Sequence, residues 1–143
     1  MASPTKSISV LIPNYDWDVS ALINSLHKQL KTAAVPFEIV CFDDCSTSNH
    51  QQKNETVNKL ENVRYVVNKY PLGRSKNRNE LAYASCYNYL LFLDGDAGIE
   101  KNAAFIANYL ASAKPDQVIC GGTAYENNAP ADARFLLRYL YGK

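Results

Sequence analysis

The chain has 143 residues, of which 15 are basic and 14 acidic, a formal net charge of +1, and an apolar fraction of 47%. A chain of this size can bury about two-thirds of its surface as one domain, without metal or disulfide support. The composition excludes a disordered chain, and the charge balance excludes a bulk field for nucleic acid or anionic lipid, so any anion site must be local.

Ile8 to Ile12 is a β-branched run stopped by Pro13-Asn14 and reads as a buried strand. Val19, Leu22, Ile23, Leu26 and Leu30 follow helical spacing, with Asp18 as N-cap. Phe37 to Phe42 is a second strand running into Asp43-Asp44, and Ser46 to Lys59 reads as loop and weak surface helix, with Val57 its one apolar residue. Val63 to Val67 is a third strand. Gly73 opens a basic segment that Leu81, Ala82 and Ser85 continue as a helix. Tyr89 to Leu93 is a fourth strand, apolar on both faces and therefore expected at the centre of the sheet. A helix is predicted over Lys101 to Ala113, a fifth strand over Gln117 to Cys120, and an amphipathic helix over Ala131 to Tyr141. This alternation predicts an α/β fold, a mostly parallel central sheet with helices on both faces, as a single domain over 1–143.

Ligands of open parallel sheets bind outside the carboxyl ends of the strands. Three predicted strands end there in distinctive chemistry: Pro13-Asn14-Tyr15, Asp43-Asp44 and Asp94-Gly95-Asp96. A turn-capping role accounts for either acidic pair alone. Together, Asp43, Asp44, Asp94 and Asp96 invite a hard divalent cation such as Mg²⁺ or Mn²⁺, or a hydroxyl-rich ligand. Arg74, Lys76 and Arg78 fall in the first turn of a helix, where cations oppose the macrodipole by about 0.3–1 kcal/mol each. A bound phosphate turns that conflict into attraction; a solvated basic loop is the competing reading. Tyr15 offers an aromatic face to a nucleobase or simply packs, and Trp17, Tyr83, Tyr87 and Tyr89 are assigned to packing.

Cys41, Cys45, Cys86 and Cys120 form no C-x-x-C pair, so cytosolic thiols are expected. The opening seven residues lack the apolar core of a secretory signal, and no apolar run is long enough for a bilayer, which points to a cytoplasmic location. The first turn after the opening strand contains no glycine, which argues against a Rossmann dehydrogenase or methyltransferase.

Four segments, in order and in spacing, resemble family 2 glycosyltransferases. Ile8 to Tyr15 resembles their opening V-I-I-P-x-Y strand, Phe42-Asp43-Asp44-Cys45-Ser46-Thr47 their V-D-D-G-S-T turn, Gly73 to Asn79 their G-x-x-x-A-R-N segment, and Leu93 to Asp96 their D-x-D motif. Cys45 and Asn77 stand where the family usually has Gly and Ala. The resemblance implies a GT-A fold in which Pro13 and Tyr15 line the base pocket and Asp44 accepts a hydrogen bond from the base. Arg78, with Arg74, contacts the nucleotide; Asp94 lies near the ribose, and Asp96, with Asp94, holds Mn²⁺ or Mg²⁺ on the diphosphate.

The implied activity is metal-assisted, inverting transfer of a glycosyl unit from a nucleotide sugar, UDP-sugars being the usual donors, to a glycan or lipid-linked acceptor, as in polysaccharide biosynthesis. No carboxylate beyond Asp96 matches the family's general base; Glu126 and Asp132 are available but are not favoured, so the base is expected beyond Lys143. The chain then carries the donor-binding part of a longer enzyme, inactive alone, with membrane association at full length left open; the alternative is a non-catalytic nucleotide-sugar-binding module. Phe135, Leu137, Tyr139 and Leu140 in the last helix are expected to expose an apolar face and to pair in a homodimer.

Overall fold

The computed structural model describes residues 6–122 and 129–141. The elements run β1 (Ile8–Asn14), α1 (Ser20–Ala33), β2 (Phe37–Asp43), α2 (His50–Glu55), a 3₁₀ turn (Thr56–Lys59), β3 (Val63–Val67), α3 (Arg74–Tyr83), β4 (Tyr89–Phe92) and α4 (Phe105–Ser112). All strand pairs are parallel, in the order β3-β2-β1-β4. This is the expected α/β architecture. The chain divides into two compact units, one ending at Ala113 and one starting at Lys114.

Strand parity sets the two faces of the sheet. Ile8, Val10 and Ile12 of β1, with Phe37, Ile39 and Cys41 of β2, pack under Leu22, Ile23, Leu26 and Leu30 of α1 and Ile106 of α4. Each fully buried Leu or Ile there contributes about 1.5–3 kcal/mol. Leu11 and Val40, of opposite parity, meet Leu81 of α3 in a much smaller cluster. The N-cap of α1 is Val19, one residue later than expected; Asp18 stands just before it, and its Oδ1 accepts the backbone N–H of Ser20 at 3.0 Å and the Ser20 hydroxyl at 2.6 Å.

Two strand expectations are corrected. Among the described residues β4 pairs only with β1, so it is an edge strand. Leu91 enters the large core, but Leu90 and Phe92 project from the thinly covered face and stay about 40% exposed. An apolar run reports composition and is silent on whether a second neighbour pairs with it. The predicted fifth strand, Gln117 to Cys120, does not form: these residues have no strand pairing, and Val118 is 93% exposed. β-propensity needs a ladder and a packed face to become a strand.

The predicted 101–113 helix forms only over α4, after a turn. In the second unit the expected 131–141 helix is a 3₁₀ turn (Ala133–Phe135) followed by α5 (Leu136–Tyr141). Phe135, Leu137 and Leu140 are exposed there, as expected of its apolar face; the side chain of Tyr139 lies outside the described residues. No described helix is long and apolar enough to cross a membrane.

Candidate functional site

β1 and β2 finish in register, Asn14 opposite Asp43. Asp43 is fully buried and accepts from Asn14 Nδ2 (2.9 Å), Ser46 N and Oγ (2.7 Å each) and Tyr65 Oη (2.8 Å). Burial and this bond to Asp43 push the Tyr65 phenol well up, so it remains a donor. The expected gathering of four carboxylates is therefore corrected: Asp43 is spent on holding the turn, and only Asp44, Asp94 and Asp96 line the cleft at the strand ends.

Asp44, one residue beyond β2, accepts the N–H groups of Leu72 (2.7 Å) and Gly73 (2.8 Å) and the side-chain amide of Asn68 (3.1 Å). Burial opposes its charge, but these donors outweigh it and hold the carboxyl below the usual range. Gly73 has φ +79° and ψ 164°, an extended positive-φ conformation that glycine adopts without strain, and α3 starts at the next residue. Asn77 is buried and donates to Phe42 O at 3.0 Å, which ties the first turn of α3 to the end of β2. This gives the departure from alanine a structural use.

Arg74 and Arg78, four residues apart on α3, both reach Asp94. Arg78 Nη2 pairs with Oδ1, and Arg74 Nη2 lies 3.7 Å from Oδ2. Asp94-Gly95-Asp96 forms a tight turn closed by Ala97 N–H to Asp94 O at 3.0 Å. The Asp96 side chain is exposed with no hydrogen bond or ion pair among the described residues.

These elements enclose an open cleft of about 460 Å³. Pro13, Tyr15, Asp44, Arg74, Arg78, Asp94 and Asp96 all line it. Seven residues drawn from four separate segments of the chain are thus brought to one place. Lys76 is exposed and does not line the cleft.

The cleft also includes Asn14, Trp17, Asn77 and Gly95. Trp17 is 53% exposed, which corrects its assignment to packing; the Tyr83 assignment is likewise corrected, at 83%. The signal for Trp17 was its place two residues after Tyr15, in the loop leaving the first strand. Asp132, in the second unit, is paired with Arg134 through its side chain and backbone; Glu126 lies outside the described residues.

The carboxylates suit a hard cation only in part. No group of three or more His, Cys, Asp and Glu is placed to hold a metal among the described residues. Asp94 and Asp96 supply an all-oxygen pair on the cleft wall, which fits Mg²⁺ or Mn²⁺ when phosphate and water complete the shell.

The family model for glycosyl transferase family 2 matches residues 9–140, and the chain belongs to that family. Among solved structures it is similar to Staphylococcus aureus TarS. The 1–349 form in complex with UDP-GlcNAc shares 29% identity and a TM-score of 0.60, over 73% of this chain and 30% of that one. A second structure of the 1–349 form shares 30% identity and a TM-score of 0.54, over 73% and 33%. A TarS structure described without residue limits shares 30% identity and a TM-score of 0.53, over 73% and 20%. The chain therefore spans a third or less of the length of the proteins it resembles. No curated protein matches it.

Proposed function

We propose that this chain binds a nucleotide-sugar donor together with a divalent cation, and that it serves an enzyme transferring the glycosyl unit to an acceptor hydroxyl with inversion. The observation that carries the reading is one cleft, at the carboxyl ends of parallel strands, whose wall combines two arginines, three aspartates and an exposed tyrosine. Arg74 and Arg78 offer guanidiniums to a diphosphate, the pairing in which charge-assisted bonds are strongest. Tyr15, 62% exposed, offers its ring to a base, and Asp44 offers an acceptor to a base N–H. Asp96 and Asp94 would hold Mn²⁺ or Mg²⁺, which supplies charge stabilisation to a departing nucleoside diphosphate. A TarS structure in complex with UDP-GlcNAc supports a UDP-linked donor.

The test is a thermal-shift panel of nucleoside diphosphates and nucleotide sugars, each with and without Mn²⁺. The expected result is a rise in melting temperature with UDP and UDP-sugars that is larger with Mn²⁺. No shift with any nucleotide overturns the reading. Transfer and donor-hydrolysis assays then separate an enzyme from a binding module, since metal-dependent binding without turnover favours the module.

A further inference from the structure

We infer that Asn14 is a positioning residue that fixes two walls of the cleft at once, and that Gly95 is glycine because it sits on the Asn14 side chain. Asn14 is 3% exposed. Its Nδ2 donates both to Asp43 Oδ2 (2.9 Å) and to the backbone carbonyl of Trp17 (3.1 Å). One amide group thus joins the end of the sheet to the loop that carries Trp17.

The same side chain meets the turn opposite. A Cβ at Gly95 would lie 2.7 Å from Asn14 Oδ1, closer than real Cβ contacts, and a tight 3.0 Å from Val19 Cγ1. Gly95 is buried and does not have a positive φ, so its backbone makes no demand for glycine. The demand is for space. Asn14 cannot swing aside without breaking its bonds to Asp43 and Trp17, and Asp43 is itself held by Ser46 and Tyr65.

Asn14 Oδ1 is buried and accepts no hydrogen bond. A buried acceptor without a donor is unfavourable, a cost set against the two bonds of Nδ2. The Asp94-Gly95-Asp96 turn rests on that oxygen, since a Cβ at Gly95 would meet it first. Asn14 then acts through the turn, setting where Asp94 and Asp96 stand relative to Arg78.

The proposal rests on the donor-site reading for its binding arm, but it has a readout free of ligand. The turn is closed by the Ala97 N–H, whose hydrogen-exchange rate reports its integrity. Asn14→Ala, Gly95→Ala, the double variant and Glu38→Gln are compared by Ala97 exchange, by UDP–Mn²⁺ calorimetry and by melting. Glu38 is a buried carboxylate bonded to Ser9 at the opposite end of β1, and controls for loss of stability alone.

Asn14→Ala and Gly95→Ala are each expected to speed Ala97 exchange and to weaken UDP–Mn²⁺ binding about tenfold. The double variant is expected to come close to Asn14→Ala, because the 2.7 Å clash with Oδ1 is then gone and only the tight 3.0 Å approach to the Val19 side chain remains. Glu38→Gln is expected to lower the melting temperature and leave both other readouts unchanged. If Asn14→Ala melts lower but keeps wild-type exchange and affinity, Asn14 is structural only and the proposal falls. If Asn14→Ala does not fold, wild-type exchange in Gly95→Ala overturns it equally. If the wild-type chain binds no UDP with or without Mn²⁺, the donor reading fails and Ala97 exchange alone decides the role of Asn14.

Discussion

Arg78 and Asp94, sixteen residues apart, close on each other across the cleft as an ion pair, with Arg74 adding a second, longer contact to the same carboxylate. Asp94 therefore occupies the guanidiniums that a diphosphate would use.

This gives Asp94→Asn opposite effects in two conditions. With EDTA present, freeing both arginines is expected to strengthen UDP binding about two- to fivefold, the scale of exposed ion pairs at up to about 1 kcal/mol. With Mn²⁺ present, loss of a carboxylate is expected to weaken it. Titration calorimetry in both buffers checks the pair of signs, and weaker binding in EDTA counts against the competition.

Arg78→Ala is expected to cost about 1–3 kcal/mol of nucleoside diphosphate binding, as for a charge-assisted hydrogen bond. Arg74, whose side chain is 81% exposed, is expected to cost under about 1 kcal/mol. Equal losses for the two substitutions, in the same calorimetric titration, would remove this ranking.

Cys45 has φ +61°, in the left-handed region, at the position where the family usually has glycine. Its thiol donates to Asn68 O at 3.1 Å; burial, then Asp44 and Asp43, raise its pKa, so it stays protonated at neutral pH. Relief of backbone strain outweighs that weak bond, and Cys45→Gly is expected to stabilise the fold by about 0.5–1 kcal/mol. Urea unfolding measures it; a lower midpoint with unchanged slope contradicts it.

Acid sensitivity follows from Asp18. Burial opposes its charge, but bonds from Lys53 and Ser20 prevail and lower its pKa from 3.8 to about 2. Because the folded-state value lies below the unfolded one, the stabilisation is complete above about pH 4 and is lost as pH falls through 2. Asp18→Asn is expected to be less stable at pH 7 and to converge on wild type near pH 2. Urea midpoints across that range check it; a constant gap refutes the assignment.

The strand ends were legible because proline and paired aspartates interrupt β-branched runs, and parallel connectivity sends all such ends to one edge. Hence Pro13, Tyr15, Asp44 and Asp96 could be gathered from the strand ends, while Arg78 joined them through the resemblance of its segment to the family's G-x-x-x-A-R-N. What distinguishes Asp43 from Asp44 is not composition. It is where each falls relative to the end of β2: Asp43 reaches Tyr65 and Ser46, while its neighbour reaches Leu72 and Gly73. Asn14 was hidden for the same reason, since its meaning depends on a glycine 81 positions later that only the fold places against it. The edge position of β4 depends on pairing, which hydropathy does not encode.

Asp44 has a mechanical consequence. A carboxylate accepts about four hydrogen bonds, and three here already suspend the backbone just before α3 together with Asn68. The same carboxylate that lines the cleft thus anchors the chain from which Arg74 and Arg78 extend, so a ligand that took the fourth position would load the support of both guanidiniums.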